Sequence, residues 1–292
     1  MADSNTCVPA TPNRGSILIT GCSSGIGLGV AQGLAARGYR VFATARKDTD
    51  VQRLTGLGLE SLRLDLTDSA SIRAALAEIL RRTGGTLDAL FNNGAYGQPG
   101  AVEDLRREVL REQFETNLFG THELTCEVIR IMRRQGYGRI VQNSSILGFI
   151  SLPFRGAYNA SKHALEGLTD TLRLELRGSG IHVSLIEPGP ITSRFRANAH
   201  GAFRANIDTA ASAFAETYRR VEGRLATEGD AQPFTLGPEA VLAKVIHALE
   251  SPRPRVRYPV TFPTYLFAWL RRLLPARALD ALLARVSGRE NR

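Results

Sequence analysis

Lysine is nearly missing from this chain. Only Lys47, Lys162 and Lys244 occur among 37 basic residues, so arginine carries almost all of the positive charge. Against 28 acids the formal charge is +9, but the arginines run along stretches such as "LRREVLRE" with acids between them. Basic residues mixed with acids rather than with aromatics make a solvated face, which argues against nucleic acid as a partner. Cysteine is sparse too. Cys7, Cys22 and Cys126 are odd in number and show no C-x-x-C spacing, which excludes a disulfide framework and fits a reducing cytoplasm. His122, His163, His182, His200 and His247 lack metal-ligand spacing, so no metal is expected.

Long apolar runs are missing as well. The opening "MADSNTCVPATPNRG" is polar, with two prolines and no apolar centre, and reads as a loose leader over 1–14 rather than a secretion signal. Toward the other end "FPTYLFAWLRRLLP", residues 262–275, is aromatic and then basic, yet too short to span a bilayer. It begins an amphipathic helical extension over 261–292. That extension either packs on its own domain at the substrate entrance or makes peripheral contact with anionic lipid.

What is present is a steady alternation. At 292 residues and 43% hydrophobic, the chain is long enough to bury a full sheet in one domain. "SILIT" (16–20), "YRVFATA" (39–45), "SLRLD" (61–65), "LDALF" (87–91), "RIVQNS" (139–144) and "IHVSLIE" (181–187) are candidate strands, most followed by a helical pattern. This βαβ rhythm predicts an α/β fold over 15–260: one Rossmann-type doubly wound parallel sheet with helices on both faces. The spacing predicts one long helix over 104–134 and another over 157–177, the second stopped by "RGSG". Residues 193–236, set off by Pro188-Gly189-Pro190 and Gly237-Pro238, break the rhythm and read as a substrate lid.

The first strand runs into "TGCSSGIG", residues 20–27. Gly21, Gly25 and Gly27 stand where a chain turns from strand to helix, so that backbone N–H groups and the positive helix end can meet a diphosphate. At the end of the second strand, 19 positions after Gly27, a site for NAD would offer an acid; this chain has Ala45 and Arg46. A guanidinium there suits a 2′-phosphate and favours NADP(H) over NAD(H). The alternative is that Arg46 simply faces solvent and both cofactors bind. Cys22, inside the turn, is either a small packing residue or a thiol that the helix end makes oxidant-sensitive.

In order, "TGCSSGIG", "RLDLTD" (63–68), "NNGA" (92–95), "TNLFG" (116–120), "IVQNSSILG" (140–148), "YNASK" (158–162) and "IEPGPITSRF" (186–195) resemble the motifs of the short-chain dehydrogenases/reductases. The resemblance spans about residues 15–192 and implies a cofactor site of Gly21, Ser23, Ser24, Gly25, Ile26, Gly27, Arg46, Asp65, Leu66, Asn93, Gly94, Tyr158, Lys162, Pro188, Gly189, Ile191 and Thr192. It also implies a catalytic tetrad of Tyr158, Lys162, Ser145 and Asn117. Where the family usually has Asn-Asn-Ala-Gly, this chain has Asn92-Asn93-Gly94-Ala95, which moves the residue able to take a positive φ by one place.

The tetrad explains the one lysine kept at 162. Reducing a carbonyl needs a hydride at carbon and a proton at oxygen, and a phenol of ordinary pKa about 10 is a poor proton relay at neutral pH. A nearby ammonium favours phenolate and is expected to lower that pKa. By resemblance, the pro-S hydride of NADPH attacks, Tyr158 donates the proton, Lys162 tunes Tyr158 and holds the ribose, and Ser145 polarises the carbonyl. Asn117 holds a water that links Lys162 to solvent, and Thr192 lies near the carboxamide. Ser144 is the rival for the polarising role.

Phe195, Phe203, Phe214 and Tyr218 give the lid apolar surface for a hydrophobic carbonyl substrate, unless they pack inward. The reading is an NADP(H)-dependent oxidoreductase reducing a hydrophobic aldehyde or ketone, similar to bacterial aldehyde reductases. Alternatives are a retinoid or steroid dehydrogenase and a non-catalytic NADP(H)-sensing protein. Relatives pair through the helices at 104–134 and 157–177, so a homo-oligomer is expected.

Overall fold

The computed structural model describes residues 14–227, 229 and 233–290. The expected leader therefore lies, but for Arg14, outside the described residues, as does Cys7. Seven parallel strands form one sheet in the order β3-β2-β1-β4-β5-β6-β7. They are β1 (Ser16–Ile19), β2 (Arg40–Ala45), β3 (Glu60–Arg63), β4 (Ala89–Asn92), β5 (Gly138–Asn143), β6 (Ile181–Glu187) and β7 (Arg257–Pro259). The direction of winding reverses between β1 and β4, so the crevice above their C-terminal ends is where a ligand of a doubly wound sheet binds.

Both faces are covered, which is why every residue of the central strands β1 and β4 is buried rather than every second one. On one face α1 (Gly25–Ala36) lies against α9 (Pro238–Glu250). A Cβ on Gly33 would stand 2.2 Å from Leu242, so only a bare α-carbon lets the two helices approach this closely. Leu34, Val41, Phe91, Val245 and Tyr258 share that core. On the other face α3 (Ser69–Thr83) and α5 (Gly120–Gln135) bury Ile72, Ile79, Leu124 and Met132 against Leu18, Leu90 and Ile140.

The predicted helix over 104–134 is not continuous. α4 (Arg107–Phe114) passes into a π-helical turn, Glu115–Phe119, before α5. Two local demands account for the wide turn. Gly120 presses on the backbone of Leu66, where a Cβ would stand 1.7 Å from the carbonyl oxygen. Asn117 is turned inward to serve the backbone of Tyr96. The second predicted helix is α6 (Gly156–Glu175), ended by Gly178 and Gly180 in left-handed conformation.

β7 was not among the predicted strands, because three residues ending in proline carry no readable alternation. Between β6 and α9 the chain builds α7 (Phe195–Asn206) and α8 (Ala215–Ala226), which bury Phe203, Ile207, Tyr218 and Val221 in a separate cluster. The ends of this excursion are joined by a bridge between Ile191 and Leu236. The C-terminal stretch is two helices, α10 (Phe262–Leu273) and α11 (Ala276–Glu290). Among the described residues no helix is long and apolar enough to cross a membrane.

Candidate active site

The turn after β1 is shaped by what its glycines lack. Gly21 and Gly25 have φ of 69° and 56°. A Cβ on Gly27 would lie 2.3 Å from the carbonyl oxygen of Gly21, and one on Gly21 would lie 2.7 Å from the α-carbon of Gly94. Ser24 is extended and caps no amide of α1, whose first turn holds no acid. The N-terminal amides are thus left to an anion from outside, so the cradle fits a diphosphate. Gly94 has no positive φ, and neither does Ala95, so the expected shift of the left-handed position does not occur. Gly94 is instead small because Gly21, Thr20 and Leu66 crowd it.

A buried relay connects this turn to Lys162. The Lys162 ammonium donates to the carbonyl of Asn143 at 2.7 Å. The Asn143 amide donates to Asn93 Oδ1 at 2.9 Å, and Asn93 Nδ2 donates to the carbonyls of Thr20 and Gly21. Thr20 Oγ1 closes the set by accepting from the amides of Asn93 and Gly94. Asn93 therefore acts on the turn, its amide nitrogen already committed. Sequence reading missed Thr20 and Asn143, although both stand inside motifs it quoted.

α6 brings Tyr158 and Lys162 onto one face, one turn apart, with the ammonium 5.8 Å from the centre of the phenol ring. The half-buried Tyr158 phenol stands beside Ser145. Burial pushes it up to about 12 against the pull of the Ser145 hydroxyl. Burial also draws Lys162 down to about 8, opposed by the charge of Glu166. The expected lowering of the phenol by the ammonium is therefore corrected. The ammonium faces Asn143, and desolvation outweighs any attraction across the ring.

The two serines separate cleanly. Ser145 Oγ faces Tyr158 and accepts from the amide of Leu147, whereas Ser144 Oγ faces Glu166 on the far side. Asn117 is buried in the π turn. Its Nδ2 donates to the Tyr96 carbonyl at 2.9 Å and to Ser161 Oγ at 3.1 Å, and its Oδ1 accepts from the Tyr96 amide. Its side chain thus locks the 93–97 loop to α6, leaving neither donor free for a water.

Behind Lys162 lies a cluster the sequence did not announce. Arg257 from β7 reaches Glu166 at 3.0 Å, Asp170 at 2.6 Å and Glu187 at 3.1 Å. Shared among three acids, the guanidinium offsets burial only at Asp170, which is partly buried yet held below its ordinary range by its bonds to Arg257 and Arg173. Glu166 is held above its ordinary range by burial, and Glu187 is pushed up to about 7 by burial and by the charge of Glu166.

At the adenosine side Arg46 is exposed, and among the described residues no acid pairs with it. Asp65 accepts from the amide and hydroxyl of Thr67, and Leu66 is buried beneath. Ser23 offers its carbonyl to Arg53 and, at 3.4 Å, to Arg194, two guanidinium groups that sequence reading missed. Ile26 packs on the α1 core. Cys22 is fully buried and its thiol, donating to Ile19, is pushed up to about 12, which excludes the thiolate of the redox alternative.

The segment after β6 arches over the crevice. The Pro188 carbonyl accepts from the Ile146 amide at 2.8 Å, and Gly189 is hemmed by Thr261 and Thr264. Ile191 packs on the core and Thr192 donates to Leu236 at 3.0 Å. Ser193 is placed against Gly25, its Cβ 2.5 Å from where a Cβ on Gly25 would be. Phe195 sets its ring edge-on to Tyr158 with centres 5.2 Å apart. Phe203 and Tyr218 pack inward, so of the four lid aromatics only Phe195 stands over the phenol. The opposite wall is Phe267 and Leu270 of α10 with Leu282 and Leu283 of α11, in one cluster with Tyr158.

The short chain dehydrogenase family profile matches residues 16–202. The chain is 44% identical over 268 residues to the uncharacterized oxidoreductase YbbO of Escherichia coli, covering 92% of this chain and 93% of that protein. It is 34% identical over 261 residues to human 17-beta-hydroxysteroid dehydrogenase type 1, covering 85% and 78%. It is 31% identical over 274 residues to an NADPH-dependent 3-dehydrocapnine reductase of Ornithobacterium rhinotracheale, covering 91% and 94%.

Proposed function

The chain belongs to the short chain dehydrogenase family, and on that premise we propose that this oxidoreductase is an NADP(H)-dependent reductase of hydrophobic aldehydes or ketones. The observation that carries the reading is the Tyr158 phenol beside Ser145, with Lys162 one turn away at the end of a relay to the glycine turn. The turn and the α1 amides would hold the diphosphate. Arg46, exposed and free of acids at the end of β2, would hold a 2′-phosphate. A relative named as NADPH-dependent supports the same preference. When bound, the nicotinamide supplies the hydride.

The residues divide the remaining work. Ser145 and Tyr158 converge on one carbonyl oxygen, Ser145 by hydrogen bond and Tyr158 as the proton donor. With its pKa near 12 in the chain itself, Tyr158 carries its proton throughout the neutral range. As negative charge builds on the carbonyl oxygen, that oxygen becomes basic enough to take the Tyr158 proton, and the Lys162 ammonium, 5.8 Å from the ring centre, would stabilise the phenolate left behind. At about 8, Lys162 is mostly protonated at pH 7. Asn117 positions: it fixes Tyr96 and Ser161, hence the approach of α6 to the crevice.

Phe195, Phe267 and Leu270 around Tyr158 make the substrate end apolar and exclude water from the developing alkoxide. The similarity to a hydroxysteroid dehydrogenase favours a steroid or retinoid carbonyl as the second reading. Two copies would pair through α4, α5 and α6, where Phe119, Leu168 and Leu174 are exposed. The reducing cytoplasm suits the free cysteines.

The test is NADPH oxidation across straight-chain aldehydes, ketones, retinal and steroids, with Tyr158→Phe alongside. The variant should lose about 10²–10⁴-fold in kcat while keeping NADPH affinity. Wild-type kcat/KM should fall as pH rises through about 8, where Lys162 loses its charge. Near-normal turnover by the phenylalanine variant would defeat the assignment, and preference for steroids would move the reading to the second substrate class.

A further inference from the structure

α10 has two apolar faces with different fates. Phe267 is buried in one cluster with Tyr158 and Thr264 is buried beside Thr261, whereas Phe262, Tyr265, Leu266, Trp269 and Leu273 are exposed at 58, 46, 38, 61 and 57%. Their spacing places all five within an arc of about 100°, so they form one stripe rather than scattered residues. The lid extends it: Phe234, exposed and held at a φ of 64°, rests its ring 5.2 Å from that of Phe262. Other exposed large apolar residues, such as Leu57, Val102 and Tyr137, lie on separate elements. A contiguous aromatic and aliphatic patch of this kind marks a contact surface.

Charge decides which contact. From Phe262 to Leu279 the chain holds three arginines and no acid. Arg271, Arg272 and Arg277 are exposed at the C-terminal end of the stripe. A twofold pairing of this face with itself would bury those arginines against a stretch, residues 262–279, that offers no acid to pair with them. An anionic bilayer meets both halves of the pattern, taking the apolar side chains at the acyl boundary and the guanidinium groups at the phosphates. Tyr265 and Trp269 are the residue types that suit such a boundary, apolar in body and polar at one edge.

We propose that the outer face of α10, with Phe234 from the lid, is a docking surface for an anionic membrane. The inner face of the same helix walls the Tyr158 crevice, so docking sets that crevice beside the lipid. Docking is a property of the surface and does not depend on the reaction proposed above.

The chain carries its own probe, because Trp269 is its only tryptophan. Vesicles of equimolar phosphatidylcholine and phosphatidylglycerol added to the full-length protein should shift Trp269 emission to the blue. Brominated lipid should quench it, and phosphatidylcholine alone should bind at least about tenfold more weakly. Leu266→Asp with Leu273→Asp, and separately Arg271→Glu with Arg272→Glu, should each lose about tenfold or more in vesicle binding while retaining NADPH affinity as proof of folding. Unchanged emission and no co-sedimentation with either vesicle would overturn the proposal, and this wild-type readout stands even if a variant misfolds. A blue-shifted Trp269 in buffer, coupled to a concentration-dependent dimer that Leu266→Asp dissociates, would overturn it in favour of a second copy.

Discussion

Residues 16–120 and residues 190–290 meet at one crevice, yet they are built by different means. The first holds its shape through backbone: glycines without room for a Cβ, carbonyls that receive Asn93, and amides at the start of α1. The second is held by side chains. Phe203, Tyr218 and Val221 give the lid a core of its own, with Tyr218 donating to Asp104 and accepting from the Ala101 amide. A backbone cradle admits little variation in sequence, because any side chain fills it. A side-chain cluster accepts many combinations of similar volume. The first arrangement suits a constant ligand and the second a substrate that differs from relative to relative.

Substitutions can break the contrast in a graded way. Phe203→Ala should cost the most stability, about 3–5 kcal/mol in chemical denaturation, yet the folded fraction should bind NADPH normally because the lid core is separate from the glycine turn. Gly27→Ala should behave inversely. Forcing a Cβ against the Gly21 carbonyl costs about 1–3 kcal/mol and should appear mainly as weaker NADPH binding in calorimetry. Equal loss of cofactor affinity in both variants would erase the distinction.

Glu187 tests where the halves join. Its folded pKa of about 7 lies above the ordinary carboxyl value, so the native state holds its proton more tightly than the unfolded chain. That stabilisation is complete below the unfolded pKa and is lost as pH rises through about 7, amounting to at most about 3 kcal/mol. Glu187→Gln should flatten the fall in denaturation midpoint between pH 5 and 8. Arg46→Ala should weaken NADPH by about tenfold to a hundredfold and leave NADH unchanged, since only one carries the 2′-phosphate. The smallest effect is expected from Phe195→Ala, a change of about threefold in kcat/KM that depends on substrate length, since Phe267 and Leu270 still shield the alkoxide.

How much of this could be read from residues alone follows the same division. Strand periodicity and the glycine turn are local properties, so the sheet, the first helix and the places of Tyr158 and Lys162 were legible. The adjacent Ser144 and Ser145 could not be separated without the backbone that points one at Tyr158 and the other at Glu166. Arg257 and Glu187 were illegible because they lie 70 positions apart and meet only when β7 pairs with β6. The inward turn of Asn117 depends on Gly120 pressing against Leu66, a contact between distant segments that no periodicity announces. The lid aromatics showed their composition but not their direction, since Phe195 and Phe203 differ only in the surroundings the fold supplies.

The bridge between Ile191 and Leu236 has an architectural consequence. Because both feet of the excursion are already tied, the chain between them can grow or shrink at little entropic cost, each doubling of a loop adding only about 0.6 kcal/mol. The excursion is thus an exchangeable cassette on a fixed socket. Transplanting the stretch between Arg194 and Leu236 from another member of the family is a route to new substrates that keeps Ser193 against Gly25 and Arg194 on the Ser23 carbonyl, and so leaves the nucleotide cradle in place.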